Sequence, residues 1–197
     1  MRKLKTLALA GMMAALGSFA AAESWTLNGE ASRVAFGSVK KDVIGEVHHF
    51  TGLTGSVSAD GAVALEIDLA SVETYIDIRN ERMIEHVFKK TPTAKINAQI
   101  DMAEVSSLAV GESAVIDADG ILSLVGSELD IYTEMYVLRI SPSQVMVSTN
   151  DMIMLSMEDV DLMAGIDKLM ALAELPGITR VSPVTLRLVF DMDADKA

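Results

Sequence analysis

Residues 94–102 read Ala-Lys-Ile-Asn-Ala-Gln-Ile-Asp-Met, so apolar and polar side chains alternate without a break. Successive side chains of a β-strand point to opposite faces, and this alternation therefore indicates a strand with one apolar and one polar face. The same pattern recurs at 63–70 (Val-Ala-Leu-Glu-Ile-Asp-Leu-Ala) and at 184–191 (Val-Thr-Leu-Arg-Leu-Val-Phe-Asp). Together these segments predict an antiparallel sheet that packs one face on a core and turns the other toward water.

Weaker alternation predicts further strands on both sides of these segments. They cover residues 33–40, 45–57, 114–118, 121–125, 129–140 and 144–149. The dipeptides Asp60-Gly61 and Asp119-Gly120 are typical of hairpin turns, and residues 141–143 indicate another turn. A sheet of about eight strands exposes two edges unless it closes, so we predict a barrel. The interior of such a barrel is either filled by its own side chains or holds one small ligand.

Two stretches depart from the alternation and predict helices. Residues 77–88 group their apolar side chains at helical spacing, and residues 156–175 do the same. Ser156 with Asp159 resembles a capping box at the start of the second helix, and Pro176-Gly177 would end it. Because each predicted helix is apolar on one side, we expect each to lie over a barrel mouth or a sheet face.

The first 22 residues predict a secretory signal peptide. Arg2, Lys3 and Lys5 precede an apolar run at 7–16 that is too short to span a bilayer, and three alanines at 20–22 suit cleavage. We therefore expect an exported, periplasmic protein whose single domain covers residues 23–197. Loss of the three basic residues would change its net charge from −12 to −15.

The composition of the chain excludes several functions. With 197 residues, 50% of them hydrophobic, the chain is not a disordered one, and its net charge of −12 argues against nucleic acid as a partner. Without cysteine it has no thiol nucleophile, thiolate metal site or disulfide. Neither a Gly-x-Ser-x-Gly motif nor a phosphate-binding glycine loop occurs, so we predict a binding protein without catalytic residues.

Several short motifs carry a resemblance to a known family. They are Trp25-Thr-Leu-Asn, Ala31-Ser-Arg-Val-Ala-Phe36, the glycine-containing segment 45–57 with Phe50-Thr-Gly52, Ser71-Val-Glu-Thr74, Arg79-Asn-Glu-Arg-Met83 with Phe88 and Pro92, and Gly120-Ile-Leu-Ser-Leu-Val-Gly126. This set resembles the YceI-like family of lipocalin-related periplasmic proteins that bind polyisoprenoid lipids. The resemblance implies an all-β, lipocalin-like antiparallel β-barrel of about eight strands with two short helices. Asn80 stands where the family usually has aspartate.

The resemblance also implies a function, namely binding, sequestration or transport of a long-chain apolar lipid such as a polyisoprenoid or an isoprenoid quinone. No other cofactor is expected. Aromatic and aliphatic residues on the apolar faces are the candidate lipid-binding residues: Trp25, Phe36, Phe50, Met83, Ile84, Phe88, Met135, Leu162, Met163 and Ile166. A transient membrane contact and a homodimer remain open as further expectations.

Two alternatives compete with lipid binding. A barrel filled by its own side chains would act as a stress-related interaction module, and a continuous internal void would distinguish the two. A metal carrier would need His48 or His49 to converge with His86 or a methionine, yet adjacent strand residues face opposite sides. The methionines between 152 and 170 fit core packing or lipid lining better than a copper site.

Overall fold

The computed structural model describes residues 24–193, so the predicted signal peptide lies outside the described residues. Within them, twelve strands form one antiparallel sheet. The strands are β1 (Trp25–Leu27), β2 (Arg33–Lys40), β3 (Ile44–Phe50), β4 (Leu53–Val57), β5 (Ala62–Asp68), β6 (Val72–Glu73), β7 (Thr93–Gln99), β8 (Ser113–Leu124), β9 (Ser127–Ser141), β10 (Gln144–Thr149), β11 (Ile153–Ser156) and β12 (Val181–Met192). The α-helices over the same residues are α1 (Asp77–Arg82), α2 (Met102–Ser106) and α3 (Met163–Leu172).

The sheet closes into a barrel because β12 pairs with strands on both of its sides. A ring of eight runs β1, β4, β5, β7, β8, β9, β10 and β12 and returns to β1. Beyond this ring, β2 and β3 continue the barrel wall past β12, and β11 extends the line of β10 along β12. The expected closed antiparallel barrel of about eight strands is therefore confirmed, with several of its strands interrupted by bends.

The alternation that predicts the strands corresponds to their two faces. In β5, Leu65 and Ile67 are buried while Glu66 and Asp68 are exposed, and β12 buries Leu186 and Leu188 in the same way. In the segment 94–102, however, the strand ends at Gln99. The Asp101 carboxylate accepts a hydrogen bond from Ala103 N at 2.9 Å and caps α2. The alternation of apolar and polar residues did not predict this short helix.

The predicted hairpin turn at Asp119-Gly120 is wrong, whereas the turn at Asp60-Gly61 is confirmed. Residues 119 and 120 lie inside the long strand β8 and pair with β7 and β9. A side chain at Gly120 would place its Cβ only 2.9 Å from the Asn97 carbonyl oxygen, so glycine allows the two strands to approach. The turn follows at Val125-Gly126, where both residues have a positive φ.

The second predicted helix begins later than expected, and the capping box is wrong. Ser156 is the last residue of β11 and pairs with Val181, and Met157 N donates to the Arg180 carbonyl at 2.8 Å. The strand pairing therefore extends through this region, and α3 starts only at Met163 without a side-chain cap.

The first predicted helix is confirmed at its predicted position, but it is not a regular α-helix throughout. After α1, residues Met83–Val87 form a π-helical turn in which Phe88 N donates to the Met83 carbonyl at 2.9 Å. The α3 helix packs directly on this π turn, because a Cβ at Gly165 would lie 2.7 Å from both the His86 carbonyl oxygen and the Val87 Cα. No helix within residues 24–193 has the length and apolar character needed to cross a bilayer.

Candidate ligand-binding cavity

A cavity of about 420 Å³ lies inside the barrel beneath α1, the π turn and α3. The inner faces of β2, β3 and β12 contribute Phe36, Phe50 and Leu186 to its wall, and Val87 and Ile166 close it from the helical side. Its volume falls within the range of ~300–1,000 Å³ typical of small-molecule sites. The interior is thus an open apolar space over this half of the barrel, beyond what its own side chains fill.

The ten candidate residues from the sequence fall into three groups. Six of them line this main cavity, namely Phe36, Phe50, Met83, Phe88, Leu162 and Ile166. Trp25 and Met135 lie deeper in the barrel, around a second cavity of about 120 Å³. Ile84 and Met163 line neither space, because these half-buried side chains pack against the core from the helical layer.

The two cavities belong to one lumen. Four side chains line both of them, namely Ile96, Ile131, Ile153 and Leu186. Met102 and Val105 of α2 lie at the second cavity, together with the inner faces of the strands around Trp25. The main cavity therefore adjoins the space around Trp25, and the side chains that the two cavities share are all apolar.

One end of the main cavity is polar, and the ten candidate residues from the sequence include none of its polar side chains. We call this the polar cluster: Ser38, Lys40, Glu46, His48, Arg79 and Arg82. The cluster brings the adjoining ends of β2 and β3 together with α1. Arg79 of α1 lies 33 residues beyond Glu46 of β3 in the sequence. Polar residues at the inward positions 38, 40, 46 and 48 are the signal that could have found it, because those positions would otherwise be apolar.

Glu46 is the hub of the polar cluster. Its two carboxylate oxygens accept hydrogen bonds from Lys40 Nζ at 2.9 Å and from Arg79 Nη1 at 2.8 Å. Burial opposes ionisation of the carboxyl, but the bonds from Arg79 and Lys40 outweigh it and lower the pKa of Glu46. Arg79 Nη2 also donates to the Thr74 carbonyl at 2.6 Å, so Arg79 fastens α1 to the barrel mouth.

Asn80 completes this attachment from the next position of α1. Its Oδ1 accepts hydrogen bonds from Thr74 N at 2.9 Å and from Thr74 Oγ1 at 2.5 Å. An aspartate carboxylate offers the same acceptor, so the asparagine at this position preserves the acceptor role. The loop between β6 and α1 is held by side chains from both of its ends.

His48 presents a neutral ring to the cavity. Its Nε2 lies 3.1 Å from Ser38 Oγ, and its ring centroid lies 5.2 Å from that of Phe36. Burial, reinforced by the positive charge of Arg79, lowers the pKa of His48 to about 4. Its Nδ1 is buried and has no hydrogen-bond partner among residues 24–193. A bound molecule with a polar atom could pair with it there.

The histidines do not converge on one point. His49 lies on the opposite strand face from His48, with its ring 5.7 Å from that of Tyr75, and His86 lies in the π turn beside Glu85. Within the described part of the chain, no three His, Cys, Asp or Glu side chains are placed to hold a metal ion.

An antiparallel barrel with an apolar lumen and one polar end defines a protein of the class that encloses a small molecule. Comparison with family models matches residues 25–161 to the YceI-like domain. The chain belongs to the YceI-like family, as its sequence motifs indicated. A comparison with curated proteins gives no match.

Solved structures agree with this assignment. A polyisoprenoid binding domain from Saccharophagus degradans, implicated in plant cell wall breakdown, is 36% identical and superimposes with a TM-score of 0.84. The match covers 86% of this chain and 98% of that domain. BcnA of Burkholderia cenocepacia shares the fold at 16% identity, with a TM-score of 0.63 over 83% of this chain and 98% of its own.

Proposed function

We propose that this protein binds one long-chain apolar lipid, a polyisoprenoid or an isoprenoid quinone, inside its barrel. In this proposal it is exported to the periplasm, where it sequesters or carries the lipid without changing it chemically. The observation that carries the proposal is the apolar lumen, a main cavity of about 420 Å³ that shares part of its wall with a second one of about 120 Å³. The 36% identity to a polyisoprenoid binding domain supports the same class of ligand.

The energetics favour a long hydrocarbon. Removing one methylene from water contributes about 0.8 kcal/mol, so each five-carbon isoprene unit enclosed by the lumen contributes a few kcal/mol. Such a tail needs no polar recognition along most of its length, which agrees with the aliphatic walls around Ile96 and Leu186. The polar cluster supplies hydrogen-bonding groups at one end only, so it supports an orientation with the lipid head at the mouth.

The alternative of a side-chain-filled interaction module finds less support. In such a barrel the inward residues of facing strands would interdigitate throughout and leave no space of ligand size. The space beneath the helices instead has the size of a ligand site.

Lipid extraction tests the proposal directly. The protein is purified from its native compartment, extracted with organic solvent, and the extract is analysed by mass spectrometry against a protein standard. We expect one isoprenoid lipid per protein, and an upward shift of the melting temperature when a polyprenol is added to stripped protein. If neither a stoichiometric lipid nor a thermal shift is observed, the protein does not bind this class of ligand.

A matched pair of variants links the lipid to the lumen. Ala94 is buried and lines the main cavity, so Ala94→Leu adds three carbons to the space that the tail would occupy. Ala64 is exposed on the neighbouring strand β5, and Ala64→Leu adds the same carbons outside the barrel. The first variant should carry less lipid and the second as much as the wild type.

A further inference from the structure

Six large apolar side chains are exposed on two segments that border the main cavity. We call them the mouth patch, and their exposed fractions range from 42% to 84%. The mouth patch consists of Val43, Ile44, Val47, Tyr75, Ile76 and Ile78. They come from only two segments, residues 43–47 at the β2–β3 hairpin and the start of β3, and the stretch that leads from β6 into α1. Exposed apolar groups that cluster in this way mark a surface that contacts something apolar.

The two segments are held together by specific contacts. Glu46 of β3 binds Arg79 of α1 at 2.8 Å, and the His49 ring lies 5.7 Å from the Tyr75 ring. Tyr75 has a φ of 61°, a conformation that is costly for a tyrosine, and its N–H donates to the Glu73 carboxylate. The backbone is thus fixed so that the Tyr75 ring lies outside the barrel.

The mouth patch is continuous with the lumen. Ile76 and Ile78 line the main cavity and are also 44% and 51% exposed, so the apolar wall runs from the interior onto the outer surface at these two residues. Val43, the most exposed member, follows the β2–β3 hairpin tip, where Lys41 and Asp42 both have a positive φ. The hairpin tip and the start of α1 therefore form an apolar rim beside the cavity opening.

The charge around the rim is balanced, unlike that of the chain. Within residues 40–47 and 75–82, the cations Lys40, Lys41, Arg79 and Arg82 match the anions Asp42, Glu46, Asp77 and Glu81 one for one. The whole chain carries −12. Because exposed charges act over a screening length of about 8 Å, an anionic lipid surface would repel this rim less than the rest of the protein.

From this geometry we infer that the mouth patch docks on the surface of a lipid bilayer, so that the lipid tail passes between the bilayer and the lumen without crossing water. The inference rests on the proposed function, since it supplies the route by which that ligand enters and leaves. A bilayer suits the patch better than a folded protein does, because the rim lies beside an opening through which a tail must pass. A protein partner seated there would cover that opening.

The rate of lipid transfer tests the inference. Trp25 is the only tryptophan and lines the second cavity, so a polyprenol brominated at its tail end should quench its fluorescence when bound. Loaded protein is mixed with acceptor vesicles of equimolar phosphatidylethanolamine and phosphatidylglycerol, and recovery of Trp25 fluorescence reports transfer. If docking is required, the transfer rate rises in proportion to the vesicle concentration. A rate that does not depend on vesicle concentration means release into water and overturns the inference.

Paired variants locate the contact. Val43→Asn with Tyr75→Asn removes apolar area from the mouth patch without adding charge or altering the cavity lining, and should slow transfer at least about tenfold. The control, Val115→Asn with Tyr132→Asn, changes the same residue types on the outer face of β8 and β9. Melting curves verify that both variants fold. Equal slowing of both, or no slowing of the first, contradicts docking through the mouth patch.

Two further measurements separate the inference from the proposed function. Flotation of lipid-free protein with the same vesicles measures docking without the polyprenol, and the mouth-patch variant should float less than the control. If the wild type floats but no polyprenol quenches Trp25, the proposed function fails while docking stands. If sedimentation shows a dimer that the mouth-patch variant abolishes while transfer stays unchanged, the patch joins two copies of this chain and docking is wrong.

Discussion

The mouth half and the deep half of the barrel share β5, β7, β8, β9 and β12 but differ in what closes them. At the mouth, α1, the π turn and α3 cover a cavity of about 420 Å³. In the deep half, α2 contributes Met102 and Val105 to the wall of a cavity of about 120 Å³. Strand alternation makes most of the lumen apolar, and the helices determine how much of it stays open.

The two halves also differ in polarity. Lys40, Glu46 and Arg79 line only the mouth half, whereas the deep half has aliphatic walls around Trp25 and Met135. In this arrangement a lipid would place its polar end among hydrogen-bonding groups and its tail where no hydrogen bond is needed. The mouth half therefore offers hydrogen-bonding groups and the deep half an apolar enclosure, which is the arrangement that the proposed lipid binding uses.

The largest expected effect comes from the side chains between the two halves. Leu186 is buried and lines both cavities, so Leu186→Ala should lower the free energy of unfolding by about 2–5 kcal/mol and widen the passage between them. Denaturant titration measures the stability. Quenching of Trp25 by a tail-brominated polyprenol measures the passage and should become stronger.

Leu188 provides the matched control for this prediction. It is the next inward residue of β12, is equally buried, and lines the deep cavity alone. Leu188→Ala should lose a similar amount of stability without strengthening the quenching that depends on the passage. If the two variants change quenching alike, the two cavities are not joined at Leu186.

The polar mouth half also predicts a pH dependence of stability, because His48 is buried there. The pKa of His48 is lowered to about 4 in the folded protein, against about 6.5 in an unfolded chain. The unfolded state therefore binds the proton more readily. The stability that His48 contributes is fully present above pH 6.5 and should be lost by up to about 1.4 kcal/mol per pH unit as the pH drops toward 4.

The variant His48→Gln isolates this titration from those of the other groups. Between pH 6.5 and 5, denaturant titrations should show a steeper loss of stability in the wild type than in His48→Gln. Parallel pH profiles would mean that His48 is not buried as a neutral ring.

The smallest effect concerns the helical lid over the mouth half. A Cβ at Gly165 would lie 2.7 Å from the backbone of the π turn, so Gly165→Ala should force α3 away and cost about 1–3 kcal/mol. Gly45 lies in β3, and a Cβ there meets nothing within 4 Å, so Gly45→Ala serves as the control and should change stability little. Thermal unfolding compares them, and equal melting temperatures would show that α3 does not rest on the π turn.

The sequence predicted the barrel because each strand has one face against the core, and this requirement imposes alternation at every strand. It failed where contacts distant in sequence decide the local structure. Asp119-Gly120 has the composition of a turn, yet pairing with β7 and β9 keeps it extended. Residues 156–162 have helical patterning, but backbone pairing with Arg180 delays α3.

The same reason limits what the sequence showed of the cavity. Aromatic residues such as Phe36 and Phe50 could be predicted as lining because they lie on apolar strand faces. The inward polar residues of β2 and β3 gave a signal, but the polar cluster itself forms only when Glu46 of β3 meets Arg79 of α1. Register and helix placement, which local patterns do not determine, created that end of the cavity.

The position of a bound lipid relative to Trp25 tests most directly whether the deep half of the barrel encloses the lipid tail. Two polyprenols are compared at saturation, one brominated beside its head group and one at the end of its tail. We expect strong quenching of Trp25 fluorescence by the tail-labelled lipid and weak quenching by the head-labelled one. Quenching that is equal, reversed or absent in protein that has bound the lipid would contradict a tail enclosed in the deep half of the barrel.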